Sequence, residues 1–151
     1  MPDPISFATS SPRHALPLLF PGQGQKEFYI NEAHARIDAL LHPAIEGEAA
    51  SPPADPGEGE CWLVGPVPKG VWQGHADELA CYTAGTWLFS VPRDGMRLLD
   101  RSTGQLRLYR GGWTMAAAPS TPVGGATVDS QARAAIVGLI QALADAGILP
   151  E

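Results

Sequence analysis

Four histidines and two cysteines carry most of the reactive chemistry in this 151-residue chain. Nucleophilic or acid–base catalysis needs a nucleophile, a base that orients it and an oxyanion or metal site, all converging. The histidines are scattered: His14 near the N-terminus, His34 and His42 on or ending a helical stretch, His75 after a glycine turn. His34 and Asp38, four residues apart, read as a helix-surface pair and lack the third ligand of a zinc site. His75 with Asp77 and Glu78 is the densest polar cluster, in a predicted loop. Cys61 and Cys81 lie 20 residues apart, without CxxC spacing or a second pair to complete a zinc site. Both fall in apolar, strand-like runs, so buried free thiols are expected; a disulfide requires their strands to be neighbours. The chain has no GxSxG, HExxH or GxxxxGK(S/T) motif, and Gly22-Gln23-Gly24 has no third glycine at dinucleotide-binding spacing. Asp55 and Glu58 match no calcium loop. The expectation is a protein that is not an enzyme and uses no cofactor and no metal.

The aromatic residues offer a different chemistry. Trp62, Trp72, Trp87, Trp113, Tyr82 and Tyr109 cluster in one half of the sequence, and exposed Trp and Tyr faces stack on sugars and on protein partners. Trp62 and Trp87 sit inside apolar runs and are assigned to the core. Trp72, in the glycine-flanked stretch GVWQGH, is the one expected to be exposed. With His75, Tyr109 and Trp113 it forms a candidate glycan or partner contact. Arg97, Arg101, Arg107 and Arg110 alternate along predicted strands and read as a solvated face. The net charge is −6: residues 1–60 carry three basic and nine acidic side chains, residues 61–118 six and four. Such a chain has no broad positive field for nucleic acid.

The elements that position these residues are short. Gly 17 and Pro 15 exceed a fifth of the chain, favouring many turns. Residues 1–14 are polar and proline-punctuated, an N-terminal arm. Within the domain at 15–117, Ile30, Ala33, Ile37, Leu40, Leu41 and Ala44 draw an apolar stripe down a helix that His42-Pro43 ends. Residues 46–59 read as a loop, stiffened at Pro52-Pro53. Residues 60–117 read as strands: 61–65, a hairpin of 79–82 and 86–91 around Thr83-Ala84-Gly85, a pair at 96–100 and 105–110, and 113–116. The fold class is therefore α+β, an N-terminal helix packed on a small curled antiparallel β-meander. Residues 118–127 form a linker. In 128–151, Ala132, Ile136, Leu139, Leu143 and Ala146 step by four and three, a heptad seam on a C-terminal amphipathic helix. Asp129 is its N-cap and Gly147 its stop. So apolar a helix beyond a linker is expected to dock or to self-associate, here as an oligomerisation element. No segment is a signal peptide or a membrane span, so no membrane insertion is expected.

Several motifs resemble a domain family of unknown function found in phage, prophage and gene-transfer-agent proteins. They are Gly22, Gln23, Gln25 and Lys26 in the first turn, Asn31, Glu32 and Ala33 at the helix start, and Asp38, Ala39 and Leu40 near its end. Gly70–His75, Pro92–Gly95 and LYRGGW at 108–113 follow in the same order. Met96 stands where the family usually has an aromatic. The resemblance implies a structural or adaptor component of a tail fibre or head spike. Its implied partners are copies of itself, as a trimer or pentamer, and other virion proteins. Cell-surface polysaccharide is the partner under the alternative, a glycan-binding module for host attachment. The implied location is a virion or virion-like particle assembled in the bacterial cytoplasm, where Cys61 and Cys81 would stay reduced.

Overall fold

The stretch 44–49 sets the architecture by belonging to two sheets in turn. A computed structural model describes residues 16–19, 22, 24–121, 123–124 and 129–150; the arm predicted at 1–14 and part of the predicted linker lie outside them. Helix α1 (Lys26–Leu41) starts at Gln25, which adopts a left-handed conformation, and ends at His42. Strands β1 (Ala44–Ile45) and β2 (Glu48–Ala49) follow. Next come β3 (Cys61–Val64), a single 3-10 turn (Gly70–Trp72), β4 (Leu79–Thr83), β5 (Thr86–Ser90), β6 (Arg97–Asp100), β7 (Gln105–Tyr109), β8 (Trp113–Thr114) and helix α2 (Ser130–Asp145).

The α+β class holds, and the meander resolves into two four-stranded sheets. One has the order β1-β6-β7-β8 and the other β2-β3-β4-β5. In each sheet the neighbouring hairpin strands pair antiparallel, and a two-residue strand adds in parallel: β1 on β6 and β2 on β3. The predicted loop at 46–59 thus begins with a strand. The crossing between sheets is fixed by Glu46 N–H donating to the Cys61 carbonyl (2.8 Å) and Leu63 N–H donating to the Gly47 carbonyl (3.0 Å).

Alternation along the strands builds two apolar clusters. Ile45 and Leu98 from the first sheet meet Cys61, Leu63, Leu79 and Cys81 from the second. Val64, Ala80 and Trp72 form the second cluster, on the opposite face of the second sheet. Helix α1 reaches the first cluster through Ala39 and Leu40 in its last turns, and Arg36 donates to the Phe89 carbonyl of edge strand β5 (2.8 Å). Phe28, Tyr29, Ile37 and Leu41 stay exposed.

Cys61 and Cys81 face each other in the β3–β4 register and form a disulfide. That corrects the expectation of free thiols: the strands are neighbours, and the residues occupy a close, non-hydrogen-bonded pair with a Cα separation of 4.1 Å. The β4–β5 turn places both Ala84 (φ 50) and Gly85 (φ 74) in left-handed conformations, as a two-residue hairpin loop demands. The Glu58 carboxylate accepts both turn N–H groups, at 2.9 and 3.1 Å. Glu58 thus caps that turn while staying an exposed residue of the predicted loop.

Candidate functional site

Helix α2 is held at one end and bare along its length. Asp129 caps it as predicted, accepting from the Gln131 and Ala132 N–H groups. Gly147 ends it as predicted, at φ +68, and the Ile148 and Leu149 N–H groups return to the Leu143 carbonyl. The turn after the helix then joins the first sheet. Leu106 N–H donates to the Gly147 carbonyl at 2.6 Å, Gln105 Nε2 reaches the Ile148 carbonyl at 3.4 Å, and Leu149 is buried. A Cβ on Gly147 would lie 2.9 Å from the Gly104 carbonyl oxygen, so only glycine fits this contact. The clamp has no periodic signal; Gly147 and Leu149 mark it only in retrospect.

No residue of α2 is buried. Every residue of the predicted seam lies at the surface: Ala132 and Ala146 are exposed, and Ile136, Leu139 and Leu143 are 41, 65 and 40% accessible. Val137 widens the stripe. Along this face the only charged side chains are Arg133 near the start and Asp145 at the end. The arrangement can bury apolar area against another surface, and it offers little for polar recognition.

The predicted aromatic contact set separates. Trp72 is fully buried, which corrects its expected exposure: small Ala80 and Val64 leave room on the sheet, and Trp72 fills it with its ring edge-on to Trp87 at 5.0 Å. His75 is half-buried, stacked on Phe89 at 3.6 Å, with Nδ1 2.9 Å from a Glu78 carboxylate oxygen. Tyr109 and Trp113 meet edge to face at 5.2 Å, and Trp113 Nε1 donates to the Asp77 carbonyl at 2.9 Å, which ties the two sheets together. Trp62 and Trp87, assigned to the core, are half-buried and share a sheet face with Tyr82. Tyr82 tilts against Trp87 at 5.1 Å.

The predicted arginine face is broken by Arg107, which is buried. Its Nε and Nη2 donate to Asp100 Oδ2 at 2.9 and 2.6 Å, and Nη1 donates to Glu48 Oε2 at 2.6 Å. Ser102 donates to the other Asp100 oxygen through its N–H and hydroxyl. Burial pushes the Asp100 carboxyl up. The Ser102 hydroxyl, the Arg107 guanidinium and the Ser102 N–H outweigh it and hold the pKa below the ordinary carboxylate value. Burial likewise pulls Arg107 down, and the carboxylates of Glu48 and Asp100 more than reverse it. These groups engage one another across the two sheets, and the network fastens them together. Among the described residues, no three His, Cys, Asp or Glu side chains converge to hold a metal. No described helix is long and apolar enough to cross a membrane.

No curated protein matches the chain. Residues 30–114 match a family described as protein of unknown function, DUF2793. The match spans α1 from Ile30 to β8, more than half of the sequence. The chain therefore belongs to the DUF2793 family.

Proposed function

We propose that this protein is a non-enzymatic structural and adaptor module that self-associates through α2. Its setting is a tail fibre or head spike of a phage or gene-transfer-agent particle, where it joins other virion proteins. The observation that supports this reading is the α2 seam, exposed along its whole length while the helix end is locked to the sheet. A locked, bare apolar helix gains stability only by covering that stripe. Particle appendages are cyclic, so a trimer or pentamer is the expected form. The Cys61–Cys81 disulfide suits a component that works outside the reducing cytoplasm.

Light scattering on the full chain and on Leu139→Asp tests it. The full chain should have the mass of a trimer or pentamer, and the variant that of a monomer with unchanged secondary structure. A monomeric full chain at high concentration would falsify the self-association. Removing the whole helix is a poorer test, because it also strips the buried Leu149.

A second reading, a module that attaches the particle to a host-surface glycan, draws on Trp62, Tyr82 and Trp87 sharing one half-exposed sheet face. Titrating host polysaccharide against tryptophan fluorescence tests it. Saturable quenching that is lost in Trp87→Ala supports the reading, and an unchanged spectrum rejects it.

A further inference from the structure

The first sheet has its alternation inside out. Strand β7 turns Gln105 and Arg107 inward, both buried, and Leu106 and Leu108 outward. Strand β6 turns Arg97 and Leu99 to the same outer face, in register with Leu108 and Leu106. A sheet with one solvated face ordinarily presents polar residues there. Here the outer face carries leucines, and Met115 and Ile148 extend it. Arg97, Leu106, Leu108, Thr114, Met115 and Ile148 line a shallow groove of about 350 Å³.

We infer that this groove is the docking site for helix α2 of a second copy of the chain, in a head-to-tail ring. The inference rests on the self-association proposed above and specifies how it is made. The chain's own helix cannot serve. Its end is fixed beside Leu106 by the Gly147 and Ile148 contacts, and none of its residues is buried. A neighbouring copy brings the matching surface, an apolar stripe nearly free of charge. The amounts agree. Leu99, Leu106, Met115 and Ile148 are 37–43% exposed, and Ile136, Leu139 and Leu143 are 40–65% exposed. Covering both sets removes roughly 600 Å² of apolar surface from water, or about 1,050 Å² in all at the apolar share usual for interfaces. One such contact sits at the lower bound of a specific interface. Ring closure gives each copy two, one through its helix and one through its sheet. That arrangement is heterologous, and it closes into a trimer or pentamer when the rotation per copy allows.

The experiment uses full chains carrying Leu106→Cys or Leu139→Cys, alone and mixed, oxidised and run on a non-reducing gel. The mixture should give a covalent dimer well above that of either variant alone. In parallel, Leu106→Glu should weaken association at least ~30-fold, as loss of a central apolar anchor does. Leu106 is already partly exposed, so that variant should keep the wild-type circular dichroism spectrum and unfold cooperatively. If Leu139→Cys links to itself and mixing adds nothing, the helices pair with each other. The groove is then unoccupied and the inference is overturned, while self-association stands. A full chain that stays monomeric overturns both.

Discussion

Asp100→Ala removes a carboxylate that the fold seals from water completely. What it leaves behind sets the size of the effect. Arg107, 9% exposed, keeps one partner, Glu48, whose side chain is 40% accessible. The guanidinium Nε and Nη2 lose the Asp100 acceptor, and Ser102 loses the oxygen that holds the β6–β7 turn. Breaking a buried pair from one side costs about 3–5 kcal/mol, because the remaining charge stays buried. In a chain of this size that is a fall in Tm of roughly 10 °C. Glu48→Gln, at the exposed end of the network, should cost under about 1 kcal/mol. The assay is urea unfolding at pH 7, followed by circular dichroism. The pH dependence has a fixed sign. The folded pKa of Asp100 lies below its unfolded value, so its contribution is complete above the unfolded pKa and disappears as pH falls through the folded one. The gap between wild type and Asp100→Asn should therefore narrow as pH falls below about 4. Asp100→Leu combined with Arg107→Leu removes both charges and should recover most of the loss. A cost below ~1 kcal/mol for Asp100→Ala, or a gap to Asp100→Asn that widens in acid, would refute the reasoning.

Two further predictions concern the second sheet. Trp72→Ala empties the cluster on Val64 and Ala80 and should cost about 3–5 kcal/mol, read from the shift in the urea midpoint; a loss under ~1 kcal/mol would mean that Trp72 is not packed there. Reducing the Cys61–Cys81 disulfide, which closes a loop of sequence separation 20, should lower stability by about 3 kcal/mol. Thermal unfolding with and without reductant measures it, with Cys61→Ala/Cys81→Ala as the reference, and equal transitions with and without reductant would show that the thiols are free.

What the sequence reveals here is local chemistry. Asp129 and Gly147 bound α2 because a cap and a left-handed stop act within one turn of the helix. Thr83-Ala84-Gly85 announces its hairpin for the same reason. Strands β1 and β2 stay hidden because two residues carry no period, and their partners lie far along the chain at β6 and β3. The disulfide follows from the β3–β4 register, which no spacing rule supplies. Trp72 misleads because its flanking glycines mark a turn. They do not reveal that Ala80, eight positions on, leaves a hollow for its ring.

Arg107 is the most instructive case. A strand reading Gln-Leu-Arg-Leu-Tyr invites the leucines inward and the arginine into water. The structure does the reverse, because Asp100 and Glu48 wait inside to meet the guanidinium. A one-residue slip of β7 would exchange its two faces, and hydrophobicity alone would favour the slip. Leucines in place of Asp100 and Arg107 are expected to be nearly neutral in stability, so the ionic network adds little net free energy to the fold. Its effect is to choose the face. By drawing Arg107 inward it commits Leu106 and Leu108 to the outside, beside the locked end of α2. The buried charges and the bare leucines are thus one feature seen from two sides. A sheet built this way carries its apolar residues on the face turned to solvent.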